Sequence, residues 1–377
     1  MRDAIREAID RCERATLIFD TERIASNMRA VAEAAGAARI RPLLAMKSFP
    51  HPRVVELAAQ HLAGFDAAST EELRAALAAS PAKIVSIADP SGAANAQAQA
   101  IAPAERRLIV AGETLEQIRK APAHADIAIR VSASITGRDP AVGAILEGTG
   151  HRRSRFGLES APQIRALREA AGDRRVGLHV HHGPVTATSA DRFVASARAA
   201  IELARSAGIG PAFIDLGGAW HGIGIANIGE AFEAVRAGID DVIRSGIGAP
   251  HGSESASIEI LVEPGRLFVE DAGFAVGPTH SVRDLGDGRL LVTNALSRIC
   301  HLRWSQVELV AKAPHPGAGV KAIVVGPTCY EEDVVGEWIV VPSEIDKRVV
   351  LRNVSGYAAA WNTSFGGVPA ADVVFVD

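Results

Sequence analysis

Cysteine is scarce in this chain: Cys12, Cys300 and Cys329 are the only three among 377 residues. That excludes a disulfide framework, and no pair has the CxxC spacing of a structural zinc site. An excess of one charge is also missing. Lys and Arg number 40 against 44 Asp and Glu, a formal net charge of -4, with no basic run for nucleic acid or an anionic membrane. No uninterrupted apolar stretch reaches the ~18 residues of a membrane span. The N-terminus, Met1-Arg2-Asp3-Ala4-Ile5-Arg6-Glu7, lacks the apolar core of a signal peptide. These absences predict a soluble, cytoplasmic protein. GxSxG is absent too, as are a GxGxxG after the first apolar run, an internal repeat and a low-complexity segment.

What is present is globular: 48% hydrophobic and 22% charged residues exclude general disorder. Short apolar runs occur at 40–46, 64–68, 84–88, 107–110, 127–131, 177–181, 213–217 and 258–262. Continuous runs of this length suit strands buried on both faces. Helical stretches lie between them. Ser69-Thr70-Glu71-Glu72 reads as a capping box followed by Leu73 and Leu77 on one face. Ser160 with Pro162 and Gln163 reads as another start. Phe193, Ala197, Ala200, Ile201 and Ala204 form a stripe that Gly208 closes. Eight strand–helix repeats predict an α/β fold, a (β/α)8 TIM-type barrel over 21–268.

After about residue 270 the pattern changes. Runs at 275–283 and 289–293 flank Gly286-Asp287-Gly288, a hairpin pattern, and Val-rich strands follow at 322–325, 337–341, 348–351 and 373–376. This predicts a C-terminal all-β domain, sandwich- or barrel-like, made of 269–377 with 1–20, where Thr16–Asp20 supplies a strand.

Active sites of such barrels lie at the C-terminal ends of the strands. Those ends carry Lys47, Asp66, Arg130, His181 and His182, Gly217-Gly218 and Glu263. Lys47 alone reads either as a snorkelling surface lysine or, partly desolvated, as an amine able to attack a carbonyl. Glu263-Pro264-Gly265-Arg266 reads either as a solvated turn or as an acid holding an aromatic nitrogen cation next to an arginine holding a phosphate. Gly217-Gly218 lets backbone N–H groups approach a phosphate. Successive histidines alternate faces of a strand, and supporting carboxylate or cysteine ligands are absent at nearby spacing, so no metal site is expected. Cys329, in Gly326-Pro327-Thr328-Cys329-Tyr330-Glu331-Glu332-Asp333, sits in an acidic turn that points to function rather than burial.

Eight segments, in order, resemble the pyridoxal-phosphate enzymes of the ornithine/diaminopimelate decarboxylase family, which has the alanine-racemase-like (type III) fold. They are Ala45-Met46-Lys47-Ser48, Gly64-Phe65-Asp66-Ala67-Ala68-Ser69, Arg155-Phe156-Gly157, Gly177-Leu178-His179-Val180-His181, Asp215-Leu216-Gly217-Gly218, Glu263-Pro264-Gly265-Arg266, Gly326-Pro327-Thr328-Cys329 and Ser355-Gly356-Tyr357. The resemblance implies that Lys47 carries pyridoxal 5'-phosphate as a Schiff base. It also implies that His181 stacks on the ring, Glu263 holds the ring nitrogen, and Gly218, the Glu263–Arg266 turn and Tyr357 hold the phosphate. Asp66 and Arg130 join this cofactor set. The family's homodimer shares its sites, so the resemblance implies that Cys329 of one chain protonates Cα in the partner's barrel, with Arg155 facing Asp333 across the interface.

Some positions depart from the family. Ser48-Phe49-Pro50 follows the lysine, His182 and Pro184 replace the usual Val and Ser, and Ala219 replaces a third glycine. Tyr330 stands where ornithine-type members have Asp and diaminopimelate-type members have Glu. The expected activity is α-decarboxylation of a small amino acid, with Tyr330 and Arg303 (with Arg298 nearby) reading its far end. A specialised substrate such as a siderophore or antibiotic precursor fits these departures. An amino-acid racemase would want an arginine rather than Glu263 at the ring nitrogen. A non-catalytic pyridoxal-phosphate carrier would be a single barrel without the Cys329 domain.

Overall fold

The computed structural model describes residues 1–80, 83–133, 154–181, 189–245, 257–310 and 319–377. It divides into two units, Met28–Leu267 and Met1–Asn27 with Phe268–Asp377. The first strand, β1 (Thr16–Asp20), belongs to the latter. The next eight are β2 (Ile40–Ala45), β3 (Gly64–Ala67), β4 (Ile84–Ile87), β5 (Leu108–Gly112), β6 (Asp126–Val131), β7 (Val176–Val180), β8 (Phe213–Asp215) and β9 (Glu259–Val262). Each pairs in parallel with the next, and β9 pairs with β2, closing a barrel. All eight predicted apolar runs are strands, with ends shifted by no more than two residues.

Side chains alternate across a strand, so each strand contributes in turn to layers stacked along the barrel. Along β9, Glu259 lies in an ionic layer at the N-terminal end, Leu261 in an apolar layer, and Glu263 just past the C-terminal end. Asp126, Ala128 and Arg130 follow the same order along β6. The apolar layer is Leu43, Ile84, Ile109, Ala111, Ala128, Phe213 and Leu261, all buried. Phe213 fills the place left by Gly177, where an added Cβ would lie 2.5 Å from its ring. The helix Thr70–Ala79 starts as expected: Ser69 Oγ accepts from Glu72 N at 3.2 Å. The Glu72 carboxylate reaches back to Ala68 N rather than to Ser69 N.

The second unit is the expected β domain, with an added helix. Its eight strands form one mixed sheet, and it opens with the helix Asp3–Asp10, whose Ile5 and Ile9 pack on Ile18 and Val276. The remaining strands are β10 (Gly273–Asp284), β11 (Arg289–Asn294), β12 (Glu308–Leu309), β13 (Val320–Val325), β14 (Val334–Val340), β15 (Arg348–Arg352) and β16 (Asp372–Val376). The long β10 organises them. Its first half pairs with β1 and β15, and its second half forms the predicted hairpin with β11. The pairs β1–β16 and β11–β13 are parallel. Strand β1 joins this sheet.

The ionic layer yields a stability prediction. Glu259 accepts from Arg107 at 2.8 and 2.7 Å and from Arg175 at 2.9 Å, with Arg41 2.9 Å away. Burial alone would raise its carboxyl, but these guanidiniums outweigh burial and hold it at about 2. The resulting stability is present above the unfolded carboxylate range, near about 4.3, and is lost as pH falls through the folded value. Glu259→Gln should therefore cost about 2 kcal/mol at pH 7 in denaturant titration, allowing for partly exposed partners. That cost should shrink by about half at pH 3. An equal cost at both pH values would show that the layer contributes no charge-dependent stability.

Candidate active site

Lys47 lies in a short 3-10 turn, Met46–Ser48, directly after β2. Ala45 N donates to Pro264 O at 3.3 Å, tying this turn to the one after β9. Ser48 Oγ donates to Ala45 O at 2.7 Å and lies where a Cβ on Gly265 would reach it, at 2.4 Å. The departure at Ser48 thus fills a tight seam where only a small residue and a glycine fit. Across it, Lys47 Nζ is 3.6 Å from Asp66 Oδ2 on β3 and 4.0 Å from Glu263 Oε2.

Three carboxylates are buried here, and their environments separate them. Burial and the Glu263 charge push the Asp66 carboxyl up to about 7, although Lys47 opposes them. Burial and Glu263 push Asp215 well above the usual range, against a 2.9 Å hydrogen bond from Gly217 N. Burial would raise Glu263 as well, but the hydrogen bond from His179 and the nearby Lys47 charge hold it below the usual range. His179 Nε2 is 3.2 Å from Glu263 Oε1, and burial pushes the imidazole down. The two shifts describe one shared proton. A fully buried imidazolium costs more than a neutral hydrogen-bonded ring, so the pair is a carboxylate with an Nε2–H imidazole.

Sequence reasoning assigned His179 no role at the site. The signal that identifies it is parity: 177, 179 and 181 share a face, so His179 and His181 point the same way. His179, Asp215 and Glu263 bring donor atoms within 4.8 Å of one another, although they lie on three strands. This corrects the expectation that no carboxylates stand near the histidines. By donor type the three could hold a cation, but Lys47, His181 and the glycine turn close by suit a larger ligand. His181 follows β7 beside Gly217; burial, then the charge of Lys47, holds it well below its ordinary value. His182 and Pro184 lie outside the described residues.

The turn after β8 is tightly fixed. Gly217, at φ +62°, has its carbonyl accepting from Glu263 N and from Trp220 Nε1, both at 2.8 Å. Trp220 stacks on Phe193 at 3.7 Å and meets Phe232 edge-on at 5.1 Å. Ala219 takes φ +74°, the left-handed region that a third glycine would enter without strain. His221, also missed from the sequence, is held down to about 4 by burial and the charge of Arg266. At the end of β6, the Arg130 guanidinium lies 4.1 Å from the Phe156 ring, and that of Arg155 lies 3.8 Å from it.

Cys329, Tyr330, Arg303 and Tyr357 belong to the other unit. Cys329 and Tyr330 are exposed. Asp333 is buried in its own loop, accepting from Ser297 Oγ at 3.0 Å, Arg298 N at 2.7 Å and Thr328 Oγ1 at 2.7 Å. The carboxylate on which the expected Asp333–Arg155 pair across an interface relies is thus already hydrogen-bonded within its own loop. A Cβ on Gly326 would fall 2.1 Å from that carboxylate, so the glycine makes room for it.

The barrel residues fit a pyridoxal phosphate. Glu263 Oε2 and both Asp66 oxygens are buried without a hydrogen bond, so an acceptor stands ready for a ring N–H. Lys47 offers the amine, and Gly217 and Gly218 place no side chain beside His181. Fold and site together define a (β/α)8 protein built around a planar, phosphate-bearing cofactor with a basic ring nitrogen.

The chain belongs to the family described as "Pyridoxal-dependent decarboxylase, pyridoxal binding domain", which it matches over residues 21–270. It is accordingly a pyridoxal-phosphate-dependent amino-acid decarboxylase. It is 25% identical over 366 residues to a diaminopimelate decarboxylase of Thermoplasma acidophilum, covering 96% of this chain and 87% of that one. It is 23% identical to antizyme inhibitor 2 of Xenopus laevis, covering 89% and 75%. The arginine decarboxylase of Paramecium bursaria Chlorella virus superposes with a TM-score of 0.75 at 18% identity, covering 99% of each chain. Among the described residues no helix is long and apolar enough to cross a membrane.

Gly217→Ala should place a Cβ 2.8 Å from His181 Cδ2 on a left-handed backbone. The expected loss is about 1–2 kcal/mol of stability, read as a lower thermal midpoint. An unchanged midpoint would show that the turn accepts a side chain.

Proposed function

We propose that this decarboxylase acts on an α-amino acid whose far end is anionic or neutral and polar, in a homodimer that shares its sites. The observation that carries the substrate class is Tyr330. It is exposed, its ring packed 5.4 Å from Phe365, at the position where the resemblance places an acid in ornithine- and diaminopimelate-type enzymes. A distal ammonium without that acid loses several kcal/mol of compensation on leaving water, of the order of burying an unpaired charge. Asp333 is no substitute, because its oxygens are committed within the loop. Of the two arginines considered for a substrate carboxylate, Arg298 already donates to Ser305 O at 2.7 Å. Arg303 is exposed and stacked 4.3 Å from the Trp361 ring, a guanidinium presented on an aromatic support.

When bound, pyridoxal phosphate supplies an electron sink for the carbon that loses carbon dioxide. In this reading Lys47 would hold the cofactor by its amine. Asp66, with its carboxyl near neutrality and 3.6 Å from Lys47 Nζ, exchanges a proton with that amine. Glu263 would hold the ring nitrogen by its negative charge, with His181 beside it. Gly218 and Arg266 would hold the phosphate, with Gly217, Pro264 and Gly265 shaping the turns, and Arg130 adds positive charge at the end of β6. Cys329 of the partner subunit delivers the proton to Cα. A non-catalytic reading is favoured by the match to antizyme inhibitor 2, a name that does not denote an enzyme. Release of labelled carbon dioxide from a panel of carboxyl-labelled amino acids separates the two.

In that panel, ornithine and lysine should be poor substrates, and Tyr330→Asp should raise kcat/KM for ornithine by at least about tenfold. Wild-type turnover of ornithine above about 10⁴ M⁻¹s⁻¹ would show the reading of Tyr330 to be wrong. A mixture of inactive Lys47→Ala and Cys329→Ala chains should recover about a quarter of wild-type activity, because half of the dimers are mixed and each holds one intact site. No recovery after verified subunit exchange would refute shared sites.

A further inference from the structure

Two buried atoms next to the Glu263 carboxylate have no hydrogen bond: His179 Nδ1 and Asp215 Oδ2. Both residues are nearly or fully inaccessible, at 1% and 0% exposure. They stand opposite each other in the register of β7 and β8, and together with Glu263 they offer donor atoms all within 4.8 Å. Burying two polar atoms without partners is costly unless each serves the other or a ligand. Here they are complementary. The other nitrogen of His179 is engaged with Glu263 Oε1 at 3.2 Å, and the other oxygen of Asp215 accepts from Gly217 N at 2.9 Å. What remains is one ring nitrogen and one carboxyl oxygen, both buried, on residues paired across β7 and β8.

We infer that Asp215 and His179 form a positioning chain, in which Asp215, as a neutral acid, donates to His179 Nδ1 and so fixes His179 as the Nε2–H tautomer that holds Glu263. The inference rests on the pyridoxal-dependent reading above and assigns work to two residues which that reading leaves unused. Neither is a catalytic residue in the strict sense, because they act through Glu263. The direction of the effect follows from basicity. A carboxylate that accepts an N–H is a weaker base than a bare buried carboxylate. With His179 donating, the proton shared between Glu263 and a ring nitrogen rests on the ring. Without it, Glu263 becomes the stronger base, takes the proton, and leaves the ring neutral. Upward pressure on the Asp215 carboxyl from burial and from Glu263 agrees with a neutral acid there. A second role follows from Gly217. Asp215 also pins the first N–H of the glycine turn, so the same side chain ties the end holding the ring nitrogen to the end holding the phosphate.

The test uses the full-length protein loaded with pyridoxal 5'-phosphate, and it reads cofactor affinity and the absorption spectrum of the bound cofactor rather than turnover. The variants are His179→Phe, which keeps a ring but no donor, and His179→Gln, whose amide can donate to Glu263. They are joined by Asp215→Leu and Asp215→Asn, the latter retaining both a donor for Nδ1 and an acceptor for Gly217 N. His179→Phe should weaken cofactor binding by about tenfold or more, as for a lost hydrogen bond to a charged group. Its spectrum should shift from the protonated-ring form to the neutral-ring form. His179→Gln should restore most of both properties. Asp215→Asn should resemble wild type, and Asp215→Leu should resemble His179→Phe.

A wild-type spectrum in His179→Phe would overturn the proposal, as would equal loss in His179→Phe and His179→Gln. Asp215→Asn behaving like Asp215→Leu would overturn the neutral-donor role. If His179→Phe does not fold, the contrast between the Asp215→Leu and Asp215→Asn spectra decides in the same way. Borohydride treatment and peptide mapping of the wild-type protein serve as the control. Label on a lysine other than Lys47 refutes the underlying reading, whereas label on Lys47 with unchanged variant spectra refutes only the chain.

Discussion

Desolvation of carboxylates at one end of the barrel is the constraint on which the rest of this structure depends. Asp66, Asp215 and Glu263 are all essentially inaccessible, and each opposes the ionisation of the others. Three buried like charges cannot coexist cheaply. The protein resolves this by separating them: one carboxyl is held below the usual range by an imidazole donor and a lysine, one is pushed well above it, and one is raised to about 7 beside the lysine amine. A cationic ring held against the ionised member, with an amine that must lose its proton beside the near-neutral one, is the chemistry such a division supports. The proton inventory at this end of the barrel is thus part of the fold.

Holding that arrangement requires a rigid frame, and the same strands supply it. Along β6 and β9, steps of two residues run from an ionic layer through an apolar layer to the reactive end. The Arg107–Arg175–Glu259–Asp126 network closes the opposite end of the barrel with exchangeable, partly solvated pairs. Between the two ends lie Leu43, Phe213, Leu261 and their neighbours, which separate the charged layers with low-dielectric material. Stability and chemistry are therefore assigned to different positions of one strand. This is why Glu259 and Glu263, four residues apart, have opposite contexts: one is surrounded by guanidiniums, the other by a single imidazole and a lysine.

The sheet unit solves a different problem, which is to present a loop in one shape. Asp333 gathers Ser297, Arg298 N and Thr328, joining the segment after β11 to the Cys329 loop. Cys329, Tyr330, Glu331 and Glu332 then stand outward while the acid that follows them is turned in. On the same unit Trp304 takes φ +59°, an unusual conformation for a bulky side chain, held between Tyr357 at 5.1 Å and Trp361 at 5.4 Å. Arg303 rests on that aromatic support. Exposed aromatic and cationic groups held in fixed positions are expected of a surface that recognises something.

Much of this was legible in the chain. Continuous apolar runs with capped helices between them specify buried parallel strands, because only a strand covered on both faces tolerates such runs. The glycine turn after β8, the Glu-Pro-Gly-Arg turn after β9 and the lysine after β2 were recognisable because each depends on local backbone geometry or on a residue type carried at a strand end. The β11–β13 parallel pairing and the opening helix were not legible, because pairing partners distant in sequence leave no mark on local periodicity. Nor were the grouping of His179 with Asp215 and Glu263, or the inward turn of Asp333. Each is a contact between separate elements, and the burial that shifts their protons exists only once the chain has closed around them. The sequence alone determined the barrel and, through the family resemblance, the cofactor class. Which carboxylate is charged, and which histidine holds it, was decided by tertiary burial.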